Sequence, residues 1–333
     1  MVDESDSSIG TSRPGAPFDG RRFRNLSGPE PHGLAGVFRW MLTRNREKWP
    51  ANIKQPIMPV PVERVDDGTI RSTVIGHSTV LIQVGGLNIL TDPMLSDVAG
   101  PLPWLGVRRS RPPALRLSDM PSIDVVLLSH NHYDHLDRAT LAGLALRDNP
   151  VVITGLRVGR SVPSKNVVEL DWWQSQALPR GAEVTYVPAE HFSARGPFDR
   201  NASLWGGFVL RTSAGKIYFA GDTGHGAHFE MIHKAYGAMD VSFIPIGAYE
   251  PRWFMGPVHI DPTQAVAASI ALRSQVSIAI HHGTFPLADE AVEAPARELE
   301  AAIRRLPHGQ TAIDFRMPIF GQAIVIEPII AAE

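Results

Sequence analysis

Three histidines and an aspartate fall within six positions of the segment Ser129-His130-Asn131-His132-Tyr133-Asp134-His135-Leu136-Asp137, directly after the apolar run Val125-Val126-Leu127-Leu128. Histidine is otherwise sparse, at 13 in 333 residues. Imidazole nitrogens and carboxylate oxygens are borderline-to-hard donors that suit zinc, manganese or iron(II). In an extended loop His130 and His132 project to the same side. Asp134 and His135 lie one step further along and could serve a second ion. The spacing therefore predicts a metal site with room for two ions.

Four apolar runs end in a metal-capable residue. The run 125–129 ends in His130, 184–190 leads to His191, 217–221 leads to Asp222, and 278–280 ends in His281. Strands that deliver polar side chains from one edge of a sheet build a site from distant segments on a rigid frame. Gly221 and Gly224 beside Asp222 let backbone approach an ion or substrate closely. A single histidine at a strand end is more often a hydrogen-bonded surface residue; four such ends together are a constellation. His282 follows His281, and adjacent strand side chains point to opposite faces, so one of the two faces the site. The expectation here is His281.

The elements that must position these groups follow from hydrophobic alternation and turn signals. Strands are expected at 73–75, 80–84, 88–91, 125–129, 151–154, 167–170, 184–188, 204–212, 216–220, 241–246, 276–280, 311–314 and 322–326. Gly85-Gly86 reads as a hairpin turn between the second and third. Helices are expected after Asp137 (138–146), after Asp261 with Pro262 at the first helical position, and after Asp289 in a run to about Leu306. Many strands with few helices between them argue against a doubly wound parallel sheet and for a two-sheet sandwich flanked by helices. Residues 1–20 read as a disordered tail, residues 21–50 as an extension, and 51–333 as one domain. Within the extension Leu34, Val37, Phe38, Trp40, Met41 and Leu42 interleave with Arg39, Arg44, Arg46 and Lys48. That pattern suits either a basic, aromatic helix lying on an anionic membrane or a helix packed on the domain.

Bulk properties bound the rest. Apolar residues make up 44% and charged residues 20%, an ordinary globular balance with a substantial core. A net charge of −2 provides no basic stripe for nucleic acid. The absence of cysteine excludes disulfides and thiolate ligands, so His, Asp and Glu must hold any metal. No secretory signal pattern and no membrane-spanning run stand out, which suggests a cytoplasmic protein, with peripheral contact to the inner face of the membrane if the extension docks there.

The arrangement H-x-H-x-D-H, a lone histidine, Gly-Asp-Thr-Gly and a final histidine resembles the metallo-β-lactamase superfamily. Longer blocks resemble the N-acyl-phosphatidylethanolamine-hydrolysing phospholipase D family: Gly76 to Leu81, Leu90 to Pro93, Ser129 to Asp137, Glu169 to Trp173, Phe219 to Gly224, Ile244 to Met255, and Ala279 to His281 with Gly283 to Phe285. The resemblance implies an α+β fold, a four-layer αβ/βα sandwich. It implies a first metal on His130, His132 and His191, a second on Asp134, His135 and His281, and Asp222 bridging both. Two divalent ions are expected, zinc foremost, with manganese or iron(II) as alternatives; a homodimer is left open.

The implied reaction is hydrolysis of an N-acyl-phosphatidylethanolamine-like phosphodiester to N-acylethanolamine and phosphatidic acid. Two ions about 3.5–4 Å apart bridge a water and lower its pKa toward 7, giving hydroxide at neutral pH. Asp134 would orient that hydroxide, and His259 would protonate the leaving oxygen or, alternatively, make a local hydrogen bond at a helix start. His77 reads either as support for the metal site or as turn packing, and Asp92 as a group orienting a ligand histidine or as an Asx turn. Arg252 is a phosphate contact or a structural ion pair. Tyr249 belongs to the block that points to the lipid substrate. The pairs Trp172-Trp173 and Trp253-Phe254 would line an acyl channel or fill the core. Two alternatives keep the same metal residues: a small-molecule hydrolase such as a sugar-phosphate lactonase, and a non-catalytic metal-binding sensor.

Overall fold

The computed structural model describes residues 13–27, 29–307 and 313–327. The chain opens with helix α1 (Leu34–Thr43) and continues into β1 (Ile70–Gly76), β2 (Thr79–Val84), β3 (Leu87–Thr91), β4 (Val98–Leu102), β5 (Leu105–Arg108) and β6 (Val125–Leu128). Helix α2 (Arg138–Arg147) leads to β7 (Val151–Gly155), β8 (Val167–Leu170), β9 (Ser175–Ala177), β10 (Glu183–Val187), β11 (Gly207–Thr212) and β12 (Gly215–Phe219). After α3 (His228–Tyr236) come β13 (Val241–Pro245), the short α4 (Arg252–Met255), α5 (Pro262–Leu272), β14 (Val276–Ile280), α6 (Ala294–Arg304), β15 (Asp314–Arg316) and β16 (Ala323–Ile326).

Two seven-stranded sheets result, in the orders β16-β1-β2-β3-β6-β7-β8 and β15-β14-β13-β12-β11-β10-β9. Period-2 alternation sorts the side chains. On β6, Val125 and Leu127 point between the sheets, while Val126 and Leu128 point outward to α2 residues Leu141 and Leu144. The space between the sheets is filled by Ile82, Ile153, Trp205, Phe208, Phe219, Phe243 and Ile278, among others. The second sheet's outer face carries Tyr218, Ile244 and Ala279 against Phe229 of α3, Leu272 of α5 and Leu299 of α6. Helix, sheet, sheet, helix is the four-layer sandwich expected from the sequence.

Strand direction decides where the chemistry gathers. β1 runs in the same sense as β3 and β6, because β1–β2 and β2–β3 are antiparallel and β3–β6 is parallel. In the second sheet β10, β12 and β14 share a sense by the same parity. In each sheet, the C-terminal ends of these strands therefore open at one edge, followed by His77, Asp92, His130, His191, Asp222 and His281. The β2–β3 hairpin closes through Gly85 (φ 54°) and Gly86 (φ 71°), both left-handed as a two-residue turn of this type needs.

Several local expectations need correction. The strand expected from Leu204 begins at Gly207; ahead of it Leu204 N donates to Leu156 O and Gly206 N to Ser129 O, so the backbone there is bonded outside the ladder. Of the strand expected at 311–314, residues 311 and 312 lie outside the described residues, and β15 starts at Asp314. Asp289 does not cap α6, which begins after Glu293 with Pro295 in its first turn; its carboxylate instead accepts hydrogen bonds from Trp40 and Arg44. Of the tail expected at 1–20, residues 1–12 lie outside the described residues; beyond them Ala16 N donates to Asp171, and Arg157 lies over Phe18. Asp137 and Asp261 do cap α2 and α5, the latter in a reciprocal box with Gln264. Among the described residues no helix is long and apolar enough to cross a membrane.

Candidate metal centre

The open edge collects two groups of donors. Ligand atoms of His130, His132 and His191 lie within 4.8 Å of one another, and so do those of His77, Asp134, His135 and His281. Asp222 stands between them. Its Oδ2 is 3.1 Å from His135 Nε2 and 3.2 Å from His281 Nε2, and 3.7 Å from His191 Nε2 on the other side. All seven residues implied as ligands thus converge, and Asp222 is the shared one. Gly221 (φ +61°) makes this approach feasible: a Cβ there would meet the Ser129 Cβ at 2.6 Å, so the Asp222 turn could not close on the His130 loop.

Three of the imidazoles, those of His130, His135 and His191, are aimed by the bond their other nitrogen makes. His135 Nδ1 donates to Asp92 Oδ2 at 2.6 Å, which turns Nε2 inward. Asp92 also accepts from Ser129 N at 2.7 Å and Ser129 Oγ at 2.6 Å, and that hydroxyl lies 2.8 Å from His130 Nδ1. His191 Nδ1 donates to Val258 O at 2.9 Å. His132 uses the other nitrogen: its Nδ1 is 2.8 Å from His130 Nε2 and 3.2 Å from His191 Nε2. His77 Nε2 lies 2.9 Å from Asp134 Oδ2 and steadies that carboxylate. Asp92 and His77 thus hydrogen-bond members of the donor set as well as holding their own turns.

His281 faces the site and His282 does not. The reason is not strand alternation, since β14 ends at Ile280 and His281 takes a left-handed φ of 57°. Its backbone N–H donates to His77 O at 2.9 Å, joining the two sheets at the site. His282 packs its ring against Phe320 instead.

Electrostatics support a cation. Burial opposes charge on every group, and neighbours decide the outcome. Burial would lower His281, yet Asp222 and Asp134 hold it at about 9. His135, equally buried, is carried well above its ordinary value by Asp222, Asp134 and Asp92. Asp134 and Asp222 stay well below the usual carboxylate range despite burial, chiefly through His135. Burial, reinforced by His191, lowers His132 to about 3. The positive charge opposite these two buried carboxylates comes from His135 and His281, with no lysine or arginine among the groups acting on them, and a divalent ion would take over that task. His135 Nε2, His281 Nε2 and Asp222 Oδ1 are buried without hydrogen-bond partners. A set of imidazole and carboxylate donors with inward lone pairs unsatisfied fits divalent ions of the zinc type.

A cavity of about 300 Å³ opens onto this centre. His132, Asp134, Asp222 and His259 form its floor, and Val37, Trp40, Phe192, Phe254, Met255 and Leu287 its walls, with Arg200 and His32 at its side. The His259 ring is 5.2 Å from that of His191 and 5.3 Å from that of His281. Burial holds it well below its ordinary value.

Other sequence expectations fall elsewhere. Arg252 donates to Tyr249 O, His259 O and Gln264 and pairs with Asp261 at 3.4 Å, the structural ion pair of the two readings, and it lies outside the cavity lining. Tyr249 is buried outside the cavity, with burial and Glu298 raising its hydroxyl above the ordinary value. Trp172 is core, donating Nε1 to Trp205 O; Trp173 packs against the same core, and Trp253 lies outside the cavity lining while Phe254 forms part of it. Trp40, Phe192 and Arg200 were not read as site residues. Their one sequence signal is position: Phe192 follows His191, and Trp40 lies on the amphipathic helix.

The chain matches a β-lactamase superfamily domain over residues 87–282. It is 34% identical over 276 residues to N-acyl-phosphatidylethanolamine-hydrolyzing phospholipase D 1 of Caenorhabditis elegans, covering 77% of each chain. It is 31% identical to a metal-dependent hydrolase of Pyrobaculum neutrophilum, covering 69% of this chain and 91% of that one. Among solved structures, the isothiocyanate hydrolase from Delia radicum gut bacteria superposes with a TM-score of 0.59 at 19% identity, over 78% of this chain and 99% of that one. A metallo hydrolase from Ignicoccus hospitalis gives 0.57 at 22% identity, over 78% and 99%. These two likenesses are of fold. The chain belongs to the β-lactamase superfamily and is one of its metal-dependent hydrolases.

Proposed function

We propose that this hydrolase is a dinuclear phosphodiesterase that cleaves N-acyl-phosphatidylethanolamine-like phospholipids to N-acylethanolamine and phosphatidic acid. The observation that carries the reading is the cavity: a polar floor of His132, Asp134, Asp222 and His259 beneath walls that are almost wholly apolar. A phosphate at the floor and an aliphatic chain along Trp40, Phe192 and Phe254 match that division. The likeness to a phospholipase D of this specificity supports the same substrate class.

When bound, two divalent ions, zinc foremost, would supply Lewis-acid charge at phosphorus and make water acidic enough to attack near neutral pH. His130, His132 and His191 would hold one, Asp134, His135 and His281 the other, with Asp222 shared. The protein's own groups do the rest. Asp134, steadied by His77, orients the attacking water on one side of the phosphorus. As the water adds to phosphorus, the P–O bond to the ethanolamine oxygen breaks and the proton the water loses passes to that oxygen, to which His259 offers a hydrogen bond. Arg200, the one Lys or Arg among the described lining residues, offers its guanidinium to a phosphate oxygen.

A lipid substrate also gives the exposed apolar surface a task. Val37 and Trp40 of α1 face the cavity, yet Leu34, Phe38, Met41 and Leu42 of the same helix are exposed. The β4–β5 hairpin likewise exposes Leu102, Trp104 and Leu105. Peripheral contact of these residues with a membrane would bring the cavity to its substrate. Kinetics on N-acyl-phosphatidylethanolamine vesicles, a soluble short-chain phosphodiester and a sugar-phosphate lactone test the reading. Turnover of the vesicles is expected; an enzyme that opens the lactone and leaves both diesters intact would overturn it. A fully metallated protein inert to all three would favour a sensor.

A further inference from the structure

We propose that Arg195 is a positioning residue that staples together the two chain segments bearing His130, His132 and His191, and thereby sets how tightly that trio holds its ion. The inference rests on the metal-centre reading above and concerns a residue outside the donor set.

The loop from His130 to Leu136 must aim His132, Asp134 and His135 in different directions within a few residues. It folds into a turn in which His135 N and Leu136 N both donate to His132 O, at 3.2 and 2.9 Å. That leaves the carbonyls of Asn131 and Leu136 facing away from the loop, on two buried residues. Arg195 meets both: its Nη1 donates to Asn131 O at 2.8 Å and to Leu136 O at 2.9 Å. The guanidinium also stacks on the Tyr133 ring, 4.0 Å from its centroid. The Tyr133 hydroxyl returns the contact by donating to Arg195 O at 2.6 Å.

Arg195 lies four residues after His191, on a loop that is itself tied down. The Asp199 carboxylate accepts from Arg195 N and from Gly196 N, the latter at 2.8 Å. Ser193 Oγ donates to Ser203 O at 2.6 Å, and Asn201 N to Ser193 O at 2.8 Å. A rigid loop from the second sheet thus grips the metal loop of the first by two carbonyls and one ring. His132 Nδ1 and His191 Nε2, 3.2 Å apart, are the donors that this grip holds in register. A planar fork that also stacks suits the task better than an ammonium, which cannot lie flat on Tyr133.

The test is chelator competition for zinc on the full-length protein, with total bound metal measured alongside. Groups that support ligands are typically worth about 10–100-fold in metal affinity. Arg195→Ala is expected to weaken one of two bound ions about tenfold or more, Tyr133→Phe to weaken it less, and Arg195→Lys to recover part of the loss. Arg147→Ala is the control: Arg147 also holds backbone carbonyls, those of Met120 and Pro121, at the far end of α2. It should lower thermal stability and leave zinc affinity unchanged. Equal zinc affinity in Arg195→Ala and Arg147→Ala would overturn the staple; should Arg195→Ala not fold, wild-type affinity in Tyr133→Phe together with Arg195→Lys would do so. A wild-type protein that binds no divalent ion would instead overturn the metal-centre reading.

Discussion

Asp92 is fully buried, and it organises three groups of the metal loop at once: Ser129 N, Ser129 Oγ and His135 Nδ1. Asp92→Asn keeps the shape but replaces one acceptor oxygen by a donor, so His135 loses its aim. Metal affinity should fall by about 10–100-fold with the fold intact, as metal titration and circular dichroism together would show. Asp134 differs in being both an implied ligand and the group facing the cavity. Asp134→Asn is expected to lower kcat by about a hundredfold or more on a soluble diester; unchanged kcat would remove it from the orienting role. The neighbours His281 and His282 make a sharper pair. His281→Ala should lose close to one ion per chain by metal analysis, while His282→Ala, whose ring lies on Phe320, should keep both. Residue types and spacing were enough to find these donors, because each sits just past an apolar strand. They were not enough to say why His281 faces inward, since a left-handed residue after β14 decides it and not the alternation within the strand.

At the scale of elements, α1 has two apolar faces and hence two separable tasks. Trp40 is stacked on Phe254 and bonded to Asp289, so it is a wall of the cavity. Leu34, Phe38, Met41 and Leu42 face outward. Trp40→Ala should therefore impair turnover of vesicles and of a soluble diester alike. Serines at Phe38 and Met41 should impair turnover of vesicles alone, and equal losses on both substrates would reject membrane docking. The sequence pattern showed the helix but could not separate these faces, because a hydrophobic residue reads alike on either. The β4–β5 hairpin escaped sequence reading for the opposite reason. Val98-Ala99-Gly100-Pro101-Leu102 has no alternation, and its ribbon closes through Gly100 and Gly106, where an added Cβ would strike the opposing backbone at 1.9 and 2.2 Å. α3 was also unseen: it starts after Ala227 with no capping side chain, so no start signal marks it.

At the scale of the whole molecule, the candidate centre lies on the seam between the sheets. The first sheet's strands lead to His77, Asp92 and the His130 loop, and the second sheet's lead to His191, Asp222 and His281. Ions held from both sides should bind the folded chain and not the unfolded one. At a hundredfold excess over Kd, each would add about 2.7 kcal/mol, enough in a chain of this length to raise the Tm by roughly 4 °C. Calorimetry before and after chelation checks this, with recovery on adding zinc back. The seam has a second tie. β16, from the chain's far end, crosses back to pair with β1, matching Ile70 with Ile326 and Thr73 with Ala323. A protease nick between β8 and β9 would therefore not release two independent halves. The amino-terminal piece would lack the edge strand beside β1, and the carboxy-terminal piece, which holds the whole second sheet, would carry that strand away from the sheet it pairs with. Each fragment would be a lock and a key for the other, so a nicked molecule should stay together and keep its ions.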